Sequence, residues 1–198
     1  MRINRKILKK IKKEIRKFKK LTKKENLFKE MSFCILVANN NLERTYKIWK
    51  SIKDNLISYN YKSLSRILKK SGYRFYNTRA KYIIENKNKI NDVLRVLNSQ
   101  NENYVRNWLV KNIKGFGYKE ASHFLRNIGY RNFAILDRHI LRFLFDKKII
   151  KEIPKNLTKK KYVEIENKLK QIAKKNNLTL AELDMYIFYL QTNKIPIK

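Results

Sequence analysis

One lysine and one aspartate, Lys119 and Asp137, have the residue types and sequence surroundings of an amine nucleophile and its carboxylate partner. Lys119 follows the second glycine of Lys114-Gly115-Phe116-Gly117 by two residues and lies off the apolar stripe of the next predicted helix. Asp137 comes eighteen residues later, between an apolar run and a helical pattern, where an aspartate commonly caps a helix. A neutral lysine amine can attack carbon, and a nearby carboxylate stabilises positive charge and moves protons. From the residues alone, a phosphate-binding lysine and a purely capping aspartate remain the alternative.

Two glycines, Gly115 and Gly117, separate two predicted helices. A Gly-x-Gly hairpin before a helix leaves backbone N–H groups facing outward, and together with the helix dipole these bind a phosphate without reading any base. Gly129 stands where a glycine ends the second helix. The inward residues that the helical spacing predicts are Tyr104, Val105, Trp108, Leu109 and Ile113 before the hairpin, and Ala121, Phe124, Leu125 and Ile128 after it.

The charge of the chain is far from neutral. Its 198 residues carry 49 Lys and Arg against 16 Asp and Glu, a formal net charge of +33. Such an excess predicts a polyanionic partner such as nucleic acid, although a lysine-rich codon bias would also make the surface basic.

Cysteine and histidine are too few for several kinds of site. The single cysteine, Cys34, lies in an apolar run and cannot hold an iron–sulfur cluster, which normally needs four ligands. Two histidines and one cysteine also make a poor zinc ligand set. No apolar stretch reaches membrane-spanning length and no signal peptide is evident, so we expect a cytoplasmic protein with no membrane partner.

Helical periodicity runs through the whole chain and no segment alternates as a strand does, which predicts an all-α fold. Residues 1–24 read as a basic amphipathic helix, packed on the domain with a solvated face or with extra phosphate contacts; a membrane-surface helix is a weaker alternative. Capping boxes are predicted at Thr22 with Glu25 and at Thr179 with Glu182.

The run NIKGFGYKEASHFLRN followed by AILDRHIL resembles the archaeal type-2 8-oxoguanine DNA glycosylase/AP lyases, members of the helix-hairpin-helix base-excision superfamily. The likeness extends from LFKE at residue 27 through SFCILVAN and RFYNTRAKYI to the tail YLQTNKIPIK. It implies a helix-hairpin-helix glycosylase fold of two helical lobes with the active-site cleft between them. The glycosylase domain would be residues 25–198, with the hairpin at about 102–128 and the catalytic aspartate loop at about 130–139.

The same resemblance implies the activity. Lys119, with Asp137, would excise 8-oxoguanine from double-stranded DNA and cleave the strand by β-elimination through a Schiff base, as a monomer, associated with the nucleoid and without an organic cofactor. One alternative is a bifunctional glycosylase for another oxidised base. The other is a non-catalytic helix-hairpin-helix DNA-binding protein, which would not need the pair of Lys119 and Asp137.

Further DNA contacts follow from the resemblance. Asn39 would enter the DNA stack, although Asn39-Asn40-Asn41 also reads as a polar turn. Arg44 would approach the opposite strand, and Arg79 would contact that strand or the backbone. His139 would touch a phosphate or serve structure alone.

The resemblance also places a cation and a base pocket. The carbonyls of Lys111, Ile113 and Phe116 match positions where related hairpins hold a monovalent cation. The terminal carboxylate of Lys198 would reach the base pocket, with a frayed end as the alternative. Phe188 stands where relatives often have tryptophan, and the tail is about one residue longer than the family pattern and contains Pro196.

Overall fold

The structure is a computed structural model that describes residues 3–195. No strand is assigned within that range, so the predicted all-α class is confirmed. The helices are α1 Arg5–Ile15, α2 Lys24–Val37, α3 Leu42–Ile52, α4 Tyr61–Lys70, α5 Tyr76–Lys87, α6 Ile90–Val96, α7 Glu102–Asn112, α8 Tyr118–Asn127, α9 Arg138–Asp146, α10 Lys159–Lys175 and α11 Leu180–Thr192. No helix in the described range is long and apolar enough to cross a membrane.

The chain divides into two compact units. The contiguous unit is Leu21–Phe124, and the discontinuous unit combines Met1–Lys20 with Leu125–Lys198. The division falls inside α8, so Lys119 belongs to the contiguous unit and Asp137 to the discontinuous one.

In the discontinuous unit, α1 packs on α11. Asn4 caps α1 by accepting hydrogen bonds from the amides of Lys6 and Ile7. The buried residues of this contact are Ile11, Ile15, Phe18, Ala181, Met185 and Tyr186. The helix ends at Ile15 and is therefore shorter than the predicted 1–24. The Arg131 guanidinium binds the carbonyls of Ile15 and Phe18, at 2.8 and 2.9 Å, where the helix has ended.

In the contiguous unit, α2 packs against α3, α5 and α6. Its N-cap is Lys23, with no side-chain hydrogen bond, so the predicted capping box of Thr22 and Glu25 is wrong. The helix starts one residue too late for Thr22 to be its cap. The second predicted box is confirmed, because Thr179 accepts from the Glu182 amide and the Glu182 carboxylate accepts from the Thr179 amide.

Candidate active site

The hairpin between α7 and α8 is held by a buried asparagine. The Asn86 side chain donates to the Lys114 carbonyl at 2.8 Å and accepts from the Lys114 amide at 2.9 Å, which fixes the residue before the first glycine. Gly115 has a φ of +85°, and a Cβ there would lie 2.8 Å from the Tyr82 ring. Asn86 could not be predicted as part of the site, since nothing in its local sequence pattern sets it apart from the other asparagines.

Lys119 is the second residue of α8, and its inner neighbours Ala121 and Phe124 are fully buried as predicted. Its Nζ lies 3.1 Å from Glu120 Oε1, and its side chain keeps 27% of its surface exposed. The other carboxylate oxygen, Glu120 Oε2, accepts a hydrogen bond from the Gly117 amide at 3.2 Å. One carboxylate therefore joins the candidate nucleophile to the hairpin glycine.

Asp137 is the N-cap of α9, which confirms that part of its predicted role. Its Oδ1 accepts hydrogen bonds from the amides of His139 at 2.9 Å and Ile140 at 3.0 Å. Both bonds go to the same oxygen, so the cap occupies only one side of the carboxylate. The residue is half-buried.

The loop that leads to Asp137 is held by three buried side chains, which we call the loop frame: Tyr162 and Glu166 of α10 and Asp184 of α11. They accept hydrogen bonds from three consecutive backbone amides. Glu166 accepts from Ala134 at 3.1 Å, Asp184 from Ile135 at 2.8 Å and Tyr162 from Leu136 at 3.3 Å. The frame fixes the backbone directly before Asp137. The local sequence does not indicate this frame.

Asp184 is paired as well as buried. Its Oδ2 lies 3.1 Å from Arg126 Nη1, and both side chains are almost wholly inaccessible to solvent. Burial raises the pKa of Asp184 to about 7, against the opposing effects of the Arg126 guanidinium and the Ile135 amide.

Two predicted DNA-facing residues of the discontinuous unit lie together. The rings of His139 and Phe188 meet edge to face, with centroids 5.3 Å apart and planes at 77°. Lys198 lies outside the described residues.

Three other predicted residues surround the corner between α2 and α3. Asn39 is exposed there, with a left-handed φ of +57°. Arg79 donates to the Ala38 carbonyl at 3.3 Å, and Arg44 donates to the Gly72 carbonyl at 2.6 Å. Arg79 therefore supports the backbone that presents Asn39, a role that the sequence did not indicate.

The second histidine of the chain packs against an aromatic ring. His123 meets the Phe33 ring edge to face at 6.2 Å. Within residues 3–195, no group of three or more His, Cys, Asp or Glu side chains could hold a metal ion. The Ile113 carbonyl of the predicted monovalent cation site accepts a hydrogen bond from the Phe116 amide at 3.2 Å. That cation site stays a prediction.

The described residues 3–195 form an all-helical fold in which the Gly-x-Gly hairpin, the lysine on the next helix and the downstream capping aspartate follow in the order that the resemblance to the helix-hairpin-helix DNA glycosylases implies. A family model described as 8-oxoguanine DNA glycosylase matches residues 9–178, so the chain belongs to that family.

Two relatives with similar sequences are named 8-oxoguanine DNA glycosylase/AP lyases. The chain is 49% identical to the 8-oxoguanine DNA glycosylase/AP lyase of Methanocaldococcus jannaschii, with 93% of this chain and 90% of the relative covered. It is 41% identical to that of Aquifex aeolicus, with 85% and 77% covered.

Solved structures match with equally broad coverage. The crystal structure of the Methanocaldococcus jannaschii enzyme in complex with 15mer DNA containing 8-oxoguanine matches with a TM-score of 0.92 and 47% identity, covering 96% of this chain and 93% of that one. The 8-oxoguanine DNA glycosylase of Thermotoga maritima matches with a TM-score of 0.87 and 33% identity, covering 96% and 98%.

Proposed function

We propose that this protein excises 8-oxoguanine from double-stranded DNA and cleaves the strand at the abasic site through a Schiff base on Lys119. The observation that carries the residue assignment is the position of Lys119, which lies two residues past a hairpin glycine with its amine reachable from solvent. The assignment of 8-oxoguanine as the substrate is supported by relatives up to 49% identical, which are named 8-oxoguanine DNA glycosylase/AP lyases.

The reaction begins when the damaged nucleotide turns out of the duplex. The neutral Lys119 amine attacks C1′ of the deoxyribose, a C–N bond forms, and the bond to the base breaks with its electron pair leaving on the base, which then takes a proton. The attached nitrogen gives up a proton, and its electron pair then breaks the C1′–O4′ bond. O4′ takes a proton, and the open sugar remains attached as the protonated imine. Loss of a proton from C2′ then expels the phosphate oxygen from C3′, which cuts the strand on the 3′ side.

Asp137 stabilises the positive charge that develops at the sugar and relays protons. The α9 cap uses one of its oxygens, Oδ1, which leaves the other side of the carboxylate to face the substrate. Because the loop frame holds the preceding backbone, the carboxylate is in place before the substrate arrives.

The DNA contacts divide between the two units. In the contiguous unit, the amides of Gly115 and Gly117 bind a phosphate. The carbonyls of Lys111, Ile113 and Phe116 would hold a monovalent cation, which would add positive charge at the hairpin. Asn39, Arg44 and Arg79 contact the DNA duplex around the lesion. In the discontinuous unit, His139 contacts a phosphate and Phe188, beside it, stacks on the extruded base. The formal charge of +33 draws the duplex to the protein without regard to sequence.

Borohydride trapping tests the proposal on a duplex with one 8-oxoguanine, using the wild type, Lys119→Gln and a matched Lys161→Gln control. Lys161 lies on α10 and pairs with Glu164 at 3.2 Å. We expect a covalent adduct from the wild type and the control, and none from Lys119→Gln. Adduct formation by Lys119→Gln would place the nucleophile elsewhere. No adduct from any of the three would contradict the activity itself.

A further inference from the structure

Glu120 uses both carboxylate oxygens on groups that the proposed reaction needs. Its Oε1 lies 3.1 Å from Lys119 Nζ, and its Oε2 accepts from the Gly117 amide at 3.2 Å. The side chain is only 14% exposed, so this is a packed arrangement and not a surface pair that water screens fully.

The Gly117 amide is the N–H group at the start of α8 that would bind a DNA phosphate. Helix starts attract anions because unpaired amides and the helix dipole act together. In the protein without DNA, the anion at this position is the carboxylate of Glu120. A phosphate oxygen and the Glu120 carboxylate cannot both accept this hydrogen bond, and two anions at one helix start repel each other.

We propose that Glu120 is a positioning residue that occupies the anion site of the hairpin and holds the Lys119 amine until a DNA phosphate replaces it. The proposal rests on the proposed function of the hairpin and of Lys119. While Glu120 is in place, Lys119 stays in an ion pair, and an ion-paired ammonium does not attack carbon. When a phosphate takes the Gly117 amide, the carboxylate withdraws and the Lys119 side chain can turn toward the sugar, where its ammonium gives a proton to solvent before the amine attacks. DNA binding and nucleophile release then become one event.

A capping role alone would not require the charge. Glutamate at the third position of a helix commonly accepts from the amide of the capping residue, and glutamine does the same. The ion pair with Lys119, by contrast, needs the carboxylate. Glu120→Gln therefore keeps the cap and removes only the pairing and the repulsion.

The test measures lysine reactivity in the DNA-free protein. Wild type and Glu120→Gln are treated with formaldehyde and a borohydride reductant under limiting conditions, and methylation of Lys119 is measured by peptide mass spectrometry. Glu25→Gln is the matched control, since Glu25 pairs with Lys29 at 2.6 Å on α2 of the same unit. Duplex affinity of each variant is measured with undamaged DNA.

We expect Lys119 methylation to rise about two- to fivefold in Glu120→Gln, the equilibrium effect of losing one partly exposed ion pair. The dissociation constant for DNA should fall by a similar factor, and Glu25→Gln should leave both quantities unchanged. Unchanged methylation and affinity in Glu120→Gln, with an unchanged melting temperature, would reduce Glu120 to a helix cap. Because this assay involves neither lesion nor turnover, its failure is distinct from a failure of the trapping experiment.

Discussion

The two proposed catalytic side chains are held in opposite ways. Lys119 has a flexible side chain whose ion pair is to the next residue in the chain, Glu120. Asp137 caps a helix and ends a loop whose three preceding amides are bound by the loop frame from α10 and α11. In the contiguous unit the reactive group is tethered lightly, whereas in the discontinuous unit it is fixed through the backbone.

This difference matches the tasks of the two groups. A nucleophile must move to the carbon it attacks and then stay bound to the sugar through ring opening and elimination. A long side chain, released when a DNA phosphate replaces the Glu120 carboxylate, suits this task. A carboxylate that stabilises developing charge is effective when it is already in place and needs no reorganisation during the reaction. The buried hydrogen bonds of the loop frame accordingly hold the backbone before the aspartate.

The strongest test of the comparison is Asp137→Asn. Asparagine caps helices about as well as aspartate, so the free energy of unfolding should change by less than about 1 kcal/mol. The rate of borohydride trapping should fall by roughly 10²- to 10⁴-fold, because the charge and the proton relay are lost. Asp146→Asn, at the exposed other end of α9, is the control and should keep full activity. A full trapping rate in Asp137→Asn would leave Asp137 as a cap only.

The second test concerns the loop frame through pH. Burial raises the pKa of Asp184 to about 7. Between about pH 4 and pH 7, this carboxyl is therefore protonated in the folded protein but ionised in the unfolded chain. The resulting stabilisation is fully present below the unfolded pKa and is lost as the pH rises through 7.

The asparagine of Asp184→Asn cannot titrate. Between about pH 4 and pH 7 the free energy of unfolding should therefore fall by about 2–4 kcal/mol more in the wild type than in this variant. Denaturant unfolding at several pH values measures the difference, with the surface variant Glu164→Gln as control. Parallel curves for wild type and Asp184→Asn would mean that the carboxyl ionises in the folded protein as it does in water.

The smallest expected effect separates the two hairpin glycines. Gly115→Ala should lower the free energy of unfolding by about 1–2 kcal/mol, because alanine is strained at a φ of +85° and its Cβ would press on Tyr82. At Gly117, where φ is not in the left-handed region and the near atom belongs to the flexible Glu120 side chain, alanine should cost less. Chemical denaturation of the two variants gives the comparison. An equal loss would mean that the hairpin backbone is no more constrained at the first glycine than at the second.

The parts of this site that could be predicted from the sequence are those that depend on neighbours along the chain. The cap at Asp137 and the buried stripe of α8 follow from local spacing, and both are confirmed. The edge of a stripe does not follow from the spacing in the same way. The spacing predicts that Tyr104 faces inward on α7, but it is 53% exposed, so that prediction is wrong. Periodicity identifies the centre of a buried face but not how far the neighbouring elements cover it.

The loop frame could not be predicted in the same way. Its hydrogen bonds join residues 26 to 49 positions apart in the chain. In the sequence, the acidic residues of the two helices resemble those of a solvent-exposed helix face. Nothing in the sequence around Glu166 or Asp184 distinguishes a buried acceptor from an exposed acid, because only the packing of α10 and α11 removes them from water. Arg79 is similar, since its contact with the Ala38 carbonyl spans 41 positions.

The contact between α1 and α11 also determines how the chain can fold as the ribosome makes it. The contiguous unit can close once residues 21–124 have emerged, since all its segments are then available. The apolar side chains Ile11, Ile15 and Phe18 are made earlier, yet their cover comes from Ala181, Met185 and Tyr186, which are made after the contiguous unit is complete. Helix α1 is therefore translated before the contiguous unit but buried only after α11 has emerged, and in that interval the nascent chain carries it as a basic amphipathic segment without its partner.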